Sequence, residues 1–194
     1  ERDALIAFYH STGGDGWLVN DGWLGPEGTE CDWHGITCHT PPSVGWIFLW
    51  SNGLRGTLPD ELGDLSMLID LRVSDNEIQG TIPPVLGSLE HLQVLNVSSN
   101  QLRGPIPAEL GQADSLLEVL LADNGLSGPI PAELGSLSRL HTLNLSVNQL
   151  DGSMKLRPGV KRALLSPNLE YPTCSMKSIA HLPPFLDGKR GRLL

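Results

Sequence analysis

Two thiols and two imidazoles lie close together near the start of this chain and together could bind a metal ion. They belong to Cys31, His34, Cys38 and His39. Thiolate and imidazole are ligands that zinc prefers, but the spacing is not that of a usual zinc finger. The adjacent Cys38 and His39 would also compete for position around one ion. We therefore predict no metal site and no cofactor.

Two carboxylates and one histidine–serine pair are the other residues with catalytic potential. A glycosidase would need Asp70 and Glu118 about 5 Å apart to retain configuration, or about 6.5–9.5 Å apart to invert it. His141 and Ser146 share one short segment, and nothing places the imidazole where it could activate the hydroxyl. The glycines form neither a phosphate-binding loop nor a dinucleotide fingerprint. The distance between the carboxylates of Asp70 and Glu118 depends on the secondary-structure elements in which the two residues lie.

A sequence repeat determines those elements. An asparagine recurs every 24 residues, at Asn52, Asn76, Asn100, Asn124 and Asn148. Around it recur leucine or valine at fixed positions, a glycine four residues later and, in four copies, a proline seven residues later. The five copies run from residue 44 to residue 154, and Lys155 replaces the fifth proline. Each copy carries one short strand, which cannot bury its apolar side chains unless neighbouring copies stack.

The asparagines are predicted to stabilise this stack from within. A buried amide has two donors and one acceptor, and it can satisfy backbone groups of adjacent copies at the turn after each strand. The glycine four residues later, Gly56 in the first copy, marks a position that excludes a Cβ atom. Ile-Pro pairs such as Ile82-Pro83 favour an extended segment on the far side of each copy.

The repeated pattern L-x-G-x-I-P-x-x-L-G resembles the leucine-rich repeat family, in the 24-residue form of plant-type receptors and inhibitors. The resemblance implies an α/β fold, a right-handed solenoid with a parallel sheet on its concave side. Asp70 and Glu118 would then lie two strands apart, about 10 Å, at or beyond either glycosidase geometry. We therefore predict that the protein is not an enzyme.

Residues 1–43 are predicted to form an amino-terminal cap over the open end of the stack. The segment Cys31-Asp-Trp-His-Gly-Ile-Thr-Cys38 resembles the C-x-W-x-G-V-x-C element that ends the cap of extracellular plant-type repeat proteins. That resemblance implies a disulfide between Cys31 and Cys38, with a metal site or free thiols as the alternatives. A disulfide in turn implies an extracellular or other oxidising, non-cytosolic compartment. The preceding Ser-Thr-Gly-Gly-Asp-Gly-Trp stretch is similar to caps of algal, protist or bacterial repeat proteins.

Side chains that alternate with the buried ones are predicted to form columns on the exposed face of the sheet. Three aromatic side chains fall together in the first strand, and exposed aromatic anchors are enriched at binding hot spots. The alternative is that the cap covers them. The predicted ligand-binding residues are Trp46, Phe48, Trp50, Asp70, Arg72, Asn96, Glu118 and Leu120.

Two N-x-S sequons fall on the same face, at Asn96 and Asn144. Both asparagines are predicted glycosylation sites if the chain passes through a eukaryotic secretory route. The alternative is that this repeat simply tolerates small polar residues at those positions. Sugars there would narrow the usable concave surface.

Charge is unevenly distributed along the chain. Residues 1–150 contain 19 acidic and 5 basic residues, net −14, whereas residues 151–194 contain 3 acidic and 8 basic residues, net +5. The acidic part would repel phosphates, so nucleic acid is not an expected partner. No apolar run reaches the roughly 18 residues of a transmembrane segment.

Residues 155–194 are predicted to form a carboxy-terminal cap and a basic irregular tail, because the periodicity fails there. A capping helix or turn is expected around residues 160–165. Cys174 is predicted to be free. The basic cluster at residues 189–192 could contact an acidic partner, an anionic surface or the solenoid itself.

The resemblance and the surface together predict a recognition module that binds a protein, a peptide or a cell-wall glycan through its concave face. A rigid sheet suits this role because it loses little entropy on binding. The alternative is a structural accessory subunit that docks in a larger assembly through its tail. An inhibitor of a secreted hydrolase would use the same concave chemistry.

Overall fold

The computed structural model describes residues 1–40, 42–152, 156 and 160–164. Helix α1 (Arg2–Ser11) opens the chain. Within the described residues, short 3-10 helices follow at Gly14–Gly16, Glu30–Asp32, Asp60–Asp64, Pro84–Ser88, Ala108–Gln112 and Ala132–Ser136. The last four each begin directly after the proline of a repeat. Proline fixes its own φ and restricts the residue before it, so the chain is extended where it enters each turn.

The strands of the described residues form one large sheet and two small ones. In chain order they are β1 (Ile36–Thr40), β2 (Ser43–Phe48), β3 (Arg55–Thr57), β4 (Asp70–Arg72), β5 (Glu77–Gln79), β6 (Val94–Asn96), β7 (Arg103–Gly104), β8 (Glu118–Leu120), β9 (Gly125–Pro129), β10 (Thr142–Asn144), β11 (Gln149–Asp151) and β12 (Arg162–Leu164). The main sheet has the order β1-β2-β4-β6-β8-β10-β12. Its strands are parallel except for the antiparallel pair β1 and β2. The predicted parallel sheet is confirmed.

Equivalent positions of successive repeats stack in register across the main sheet. Leu71 of β4 pairs with Ile47 on one side and Leu95 on the other, and Val119 and Leu143 continue the row. All five side chains are buried. Burying one such side chain contributes about 1.5–3 kcal/mol, which a single repeat could not obtain by itself. The adjacent residues of each strand point to the opposite, outer face.

The repeated asparagines form the predicted amide ladder. Nδ2 of Asn100 donates to the carbonyl oxygen of Val73 in the preceding repeat at 2.9 Å, and its Oδ1 accepts from the Ile78 amide at 2.9 Å. The same pattern recurs in the neighbouring repeats. Asn52 instead binds both backbone groups of Val19 at 2.8 Å. The ladder therefore also ties the first repeat to the cap.

The cap is an aromatic layer built on α1. Trp17, Trp23 and Trp33 are buried, and Trp17 and Trp23 contact Phe8 and Tyr9 of the helix. Neighbouring indole rings lie 4.9 Å and 5.0 Å apart between centroids. This layer packs against the end of the apolar stack and shares one buried core with it.

The end of α1 approaches the first repeat at Gly56. A Cβ atom there would lie 2.1 Å from the carbonyl oxygen of Ser11, and the glycine has a φ of +103°. The Arg55 amide donates to the carbonyl oxygen of Thr12 at 2.9 Å beside it. The predicted exclusion of a side chain at Gly56 is therefore confirmed, and it is the cap that fills the space.

The structure corrects one expectation for the chain beyond the repeats. Instead of a capping helix or turn around residues 160–165, residues Arg162–Leu164 form β12, which adds to the edge of the main sheet. Backbone groups directly beyond the ends of β10 thereby gain partners: the Leu145 amide donates to the carbonyl oxygen of Leu164 at 2.7 Å. Cys174, the basic cluster at 189–192 and most of the predicted tail lie outside the described residues.

Candidate functional site

The predicted binding residues occupy two adjacent rows on the outer face of the main sheet, here called the sheet face. The register aligns Trp46, Asp70, Val94, Glu118 and Thr142 in the first row. It aligns Phe48, Arg72, Asn96, Leu120 and Asn144 in the second. Trp50 follows the end of β2. Strand pairing thus brings the predicted set together although it is spread over four repeats.

The aromatic end of the sheet face is covered at one side and open at the other. Trp46 is half-buried and stacks on His39 of β1, with ring centroids 6.0 Å apart. Phe48 is half-buried, whereas Trp50 is 53% exposed, with its ring centroid 5.8 Å from that of Phe48. The cap strand therefore covers part of this cluster and leaves the Trp50 indole accessible.

Asp70 and Arg72 form an ion pair beside the aromatic residues. Nε of Arg72 donates to both carboxylate oxygens of Asp70, at 2.9 Å and 3.1 Å, and Asp70 is buried. The hydrogen bond to Asp70 raises the pKa of Arg72 above its ordinary value, against the opposing effect of burial. The guanidinium carbon also lies 5.8 Å from the centroid of Phe48. The contacts with Asp70 and Phe48 thus fix the position and the orientation of the Arg72 guanidinium group.

The two carboxylates considered for catalysis do not form a pair. Asp70 and Glu118 lie on β4 and β8, which are separated by β6. Two strand spacings amount to about 10 Å. The Asp70 carboxylate is also bound to Arg72 instead of standing free as an acid or base. This arrangement fits a polar contact surface better than a hydrolytic site.

The far end of the sheet face includes two residues that sequence reasoning missed. Arg162 and Leu164 of β12 pair with Thr142 and Asn144 of β10. Ala163 pairs with Leu143, only 20 residues earlier, so β12 falls outside the 24-residue period. Residues 160–165 are Val-Lys-Arg-Ala-Leu-Leu, which lack the apolar–polar alternation of a half-buried strand, so the sequence carried no signal for β12.

Both sequon asparagines lie on the sheet face. Oδ1 of Asn96 accepts from the Ser98 amide at 3.1 Å, and Oδ1 of Asn144 accepts from the Ser146 hydroxyl at 2.7 Å. In the register, Asn96 is the direct neighbour of Arg72 and Leu120. A glycan on Asn96 would therefore cover the centre of this face, and glycosylation at both positions stays a prediction.

The cysteine–histidine cluster of the cap is a disulfide site. Cys31 and Cys38 are bonded to each other, with their Cα atoms 5.5 Å apart, so the predicted disulfide is confirmed. The part of the chain that the structure describes contains no group of three or more His, Cys, Asp or Glu side chains able to hold a metal ion. Nor does any described helix combine the length and apolar character of a membrane span.

Comparison with known proteins gives matches at the level of repeats and of fold. The Leucine Rich Repeat family model matches residues 67–89 and 91–113. No curated protein sequence shows significant similarity to the chain. The crystal structure of the BIR2 ectodomain from Arabidopsis thaliana is 27% identical, with a TM-score of 0.77, over 91% of this chain and 95% of that one.

Two further solved structures are complexes. A chain of the BIR3–SERK2 complex from Arabidopsis thaliana is 28% identical, with a TM-score of 0.74, over 86% of this chain and 93% of that one. A chain of the Arabidopsis receptor kinase HAESA in complex with the peptide hormone IDA and the co-receptor SERK1 is 30% identical. It has a TM-score of 0.52 and is matched over 66% of this chain and 26% of its own length.

Proposed function

We propose that this chain, whose repeats match the Leucine Rich Repeat family model, is a non-catalytic recognition module that binds a protein or peptide through the sheet face. The single observation that carries the proposal is Trp50. Its indole is 53% exposed at the edge of a rigid sheet, beside Phe48 and the fixed Asp70–Arg72 ion pair. Such a combination of aromatic anchor and oriented arginine is typical of binding hot spots.

The rigidity of the face supports the same function. The strands that carry the face are joined by backbone hydrogen bonds and by the asparagine ladder beneath their ends. A surface that is ordered before binding loses little conformational entropy when a partner arrives. Among the similar structures, BIR3 is in complex with SERK2, and HAESA is in complex with a peptide hormone and a co-receptor, which supports a protein or peptide ligand here.

An extracellular or other oxidising compartment is part of the proposal. The support is the Cys31–Cys38 disulfide and the likeness to the BIR2 ectodomain. Disulfides form and persist in oxidising compartments, whereas cytosolic thiols are kept reduced. The state of these two cysteines in protein taken from its native source tests this point: free thiols would contradict it.

A partner-recovery experiment tests the proposed surface. The intact chain and Trp50→Ala are immobilised in equal amounts and exposed to extract from the native source, and recovered proteins are quantified by mass spectrometry. Loss of an exposed aromatic anchor should weaken binding by about tenfold or more. The control is Met67→Ala, which changes an apolar side chain outside the sheet face, in the turn before β4 and next to Ser88 and His91. Equal recovery by all three forms would remove the site.

A further inference from the structure

A depression of about 250 Å³ lies at the end of the sheet face farthest from Trp50, between β8, β10 and β12. Two short rows line it. The first row is Glu118, Thr142 and Arg162, and the second is Leu120, Asn144 and Leu164. Thr142 is shorter than the two charged residues on either side of it, which opens the first row at its centre. A space of this size accommodates one side chain and not a whole small molecule.

The two rows have different chemistry. Leu164 is 40% exposed and Leu120 is half-buried, and they form apolar walls on either side of Asn144. Glu118 and Arg162 have opposite charges but are separated by two strand spacings, about 10 Å, which is too far for an ion pair. Among the described residues, Arg162 has no ion-pair partner. An exposed guanidinium without a partner is suited to bind a carboxylate in a bidentate manner.

We infer that this depression is a second contact point for the ligand, taking one apolar side chain of an extended peptide next to an acidic residue that binds Arg162. The inference rests on the proposed function, because the same peptide would also contact Trp50. The apolar side chain lies between Leu120 and Leu164, and the carboxylate accepts hydrogen bonds from Arg162. Neither Arg162 nor Leu164 belongs to the set predicted from the repeats.

The separation of the two contact points specifies the peptide further. The first row of the sheet crosses from β2 to β10 in four spacings, or about 19 Å. An extended chain advances about 3.3 Å per residue, so about six residues connect the aromatic contact to the depression. The expected ligand is therefore an extended segment with an apolar or aromatic residue at one position and an apolar–acidic pair about six residues away.

A displayed library of random peptides, selected on the intact chain, tests this inference with defined probes. The enriched peptides are synthesised, and their dissociation constants are measured with the intact chain, Trp50→Ala, Arg162→Ala, Thr142→Trp and Arg139→Ala. Thr142→Trp fills the depression without removing a charged group. Arg139→Ala removes an equal charge from an exposed turn outside the depression. Circular dichroism spectra and unfolding midpoints establish that each variant is folded.

The expected result is an enriched apolar–acidic pair and a loss of affinity of about tenfold or more for both Arg162→Ala and Thr142→Trp. Arg139→Ala should bind like the intact chain. Peptides that lose affinity with Trp50→Ala but not with Arg162→Ala or Thr142→Trp would overturn the second contact point and leave the proposed function intact. Peptides insensitive to Trp50→Ala as well, or failure to enrich any peptide, would overturn both.

Discussion

The residue directly before each asparagine of the ladder has a left-handed backbone conformation. The φ angles of these residues lie between +52° and +57°, at Ser51, Asp75, Ser99, Asp123 and Val147. Serine and aspartate are short and polar and can hydrogen-bond nearby backbone, which offsets part of the steric cost. Val147 is β-branched, so the same conformation is more strained there. The last repeat therefore has a local weakness that the other four lack.

Substitution of Val147 by asparagine should stabilise the protein. Asparagine tolerates the left-handed region, and Val147 is 62% exposed, so its replacement removes little buried area. We expect the free energy of unfolding to rise by about 1 kcal/mol, measured by urea denaturation. Val147→Ala is the control, because it lacks the polar group that favours this conformation. If both variants had the same free energy of unfolding, relief of backbone strain would not explain the effect of Val147→Asn.

The residue scale is also where the sequence was most informative about the interior. An amide repeated at 24-residue intervals has few backbone partners other than those of adjacent turns, so the role of the half-buried Asn100 could be predicted. The partner of Asn52 could not, because Val19 lies in a cap loop without any repeat. Stacking of Trp46 on His39 depends on the same irregular segment.

At the scale of elements, glycines allow the 3-10 helices of successive repeats to approach one another. A Cβ atom on Gly87 would lie 2.0 Å from the carbonyl oxygen of Glu109 in the next helix. On Gly111 it would lie 2.3 Å from the Cβ atom of Glu133. Backbone atoms cannot move aside as a flexible side chain can, so these glycines determine the spacing of the helices.

Gly87→Ala should therefore separate two repeats and destabilise the whole stack. Overpacking of this kind costs about 1–3 kcal/mol, and we expect a value at the upper end because the clash is with backbone. The unfolding midpoint in urea measures the effect. Gly16→Ala is the matched control, since a Cβ atom there meets nothing within 4 Å. If both substitutions shifted the midpoint equally, close approach of the helices would not be the cause.

The cap contains a partly buried ion pair, between Arg2 and Glu30, that makes its stability sensitive to acid. Burial raises the pKa of Glu30, but hydrogen bonds from Arg2 and from the Glu30 and Gly28 amides outweigh it, so the pKa lies below the ordinary 4.5. A carboxylate with a lowered pKa contributes stability that is complete above the ordinary pKa. That stability is lost as the pH falls through the lowered pKa.

Glu30→Gln should reduce the loss of stability in acid, because glutamine does not titrate. Urea unfolding midpoints of the intact chain and the variant, measured at about pH 6 and about pH 3, test this expectation. Glu133→Gln, at an exposed position of the last 3-10 helix, is the control and should keep the full loss. An unchanged acid dependence in Glu30→Gln would show that other carboxylates are responsible.

The main sheet shows how far an element can be predicted from periodicity. The strands of the repeats follow from the alternation of apolar residues and the fixed spacing, so the rows of Asp70, Glu118 and Leu120 could be predicted. β1 and β12 could not, because both lie outside the period. These two strands pair with the unpaired backbone groups at the two edges of the sheet. Backbone groups are the same for nearly every residue type, so the amino-acid sequence does not show which segment will pair there.

At the scale of the whole molecule, one continuous sheet connects the cap to β12. Its seven strands span six spacings, about 29 Å, and the aromatic cluster and the depression lie toward opposite ends of that span. The cap closes one end of the core and the ladder couples each repeat to the next. We propose that this stiff stack presents the sheet face, and no other surface, to its partner.

Hydroxyl-radical footprinting of the complex with the recovered partner tests that claim most directly. Oxidation of each side chain is compared between the free and the bound chain by mass spectrometry. We expect strong protection of Trp50 and Phe48 on the sheet face, while Met67, beside the 3-10 helices, is oxidised at an unchanged rate. Protection of Met67 with unchanged oxidation of Trp50 would place the partner on the turns between the 3-10 helices and the strands and contradict the account.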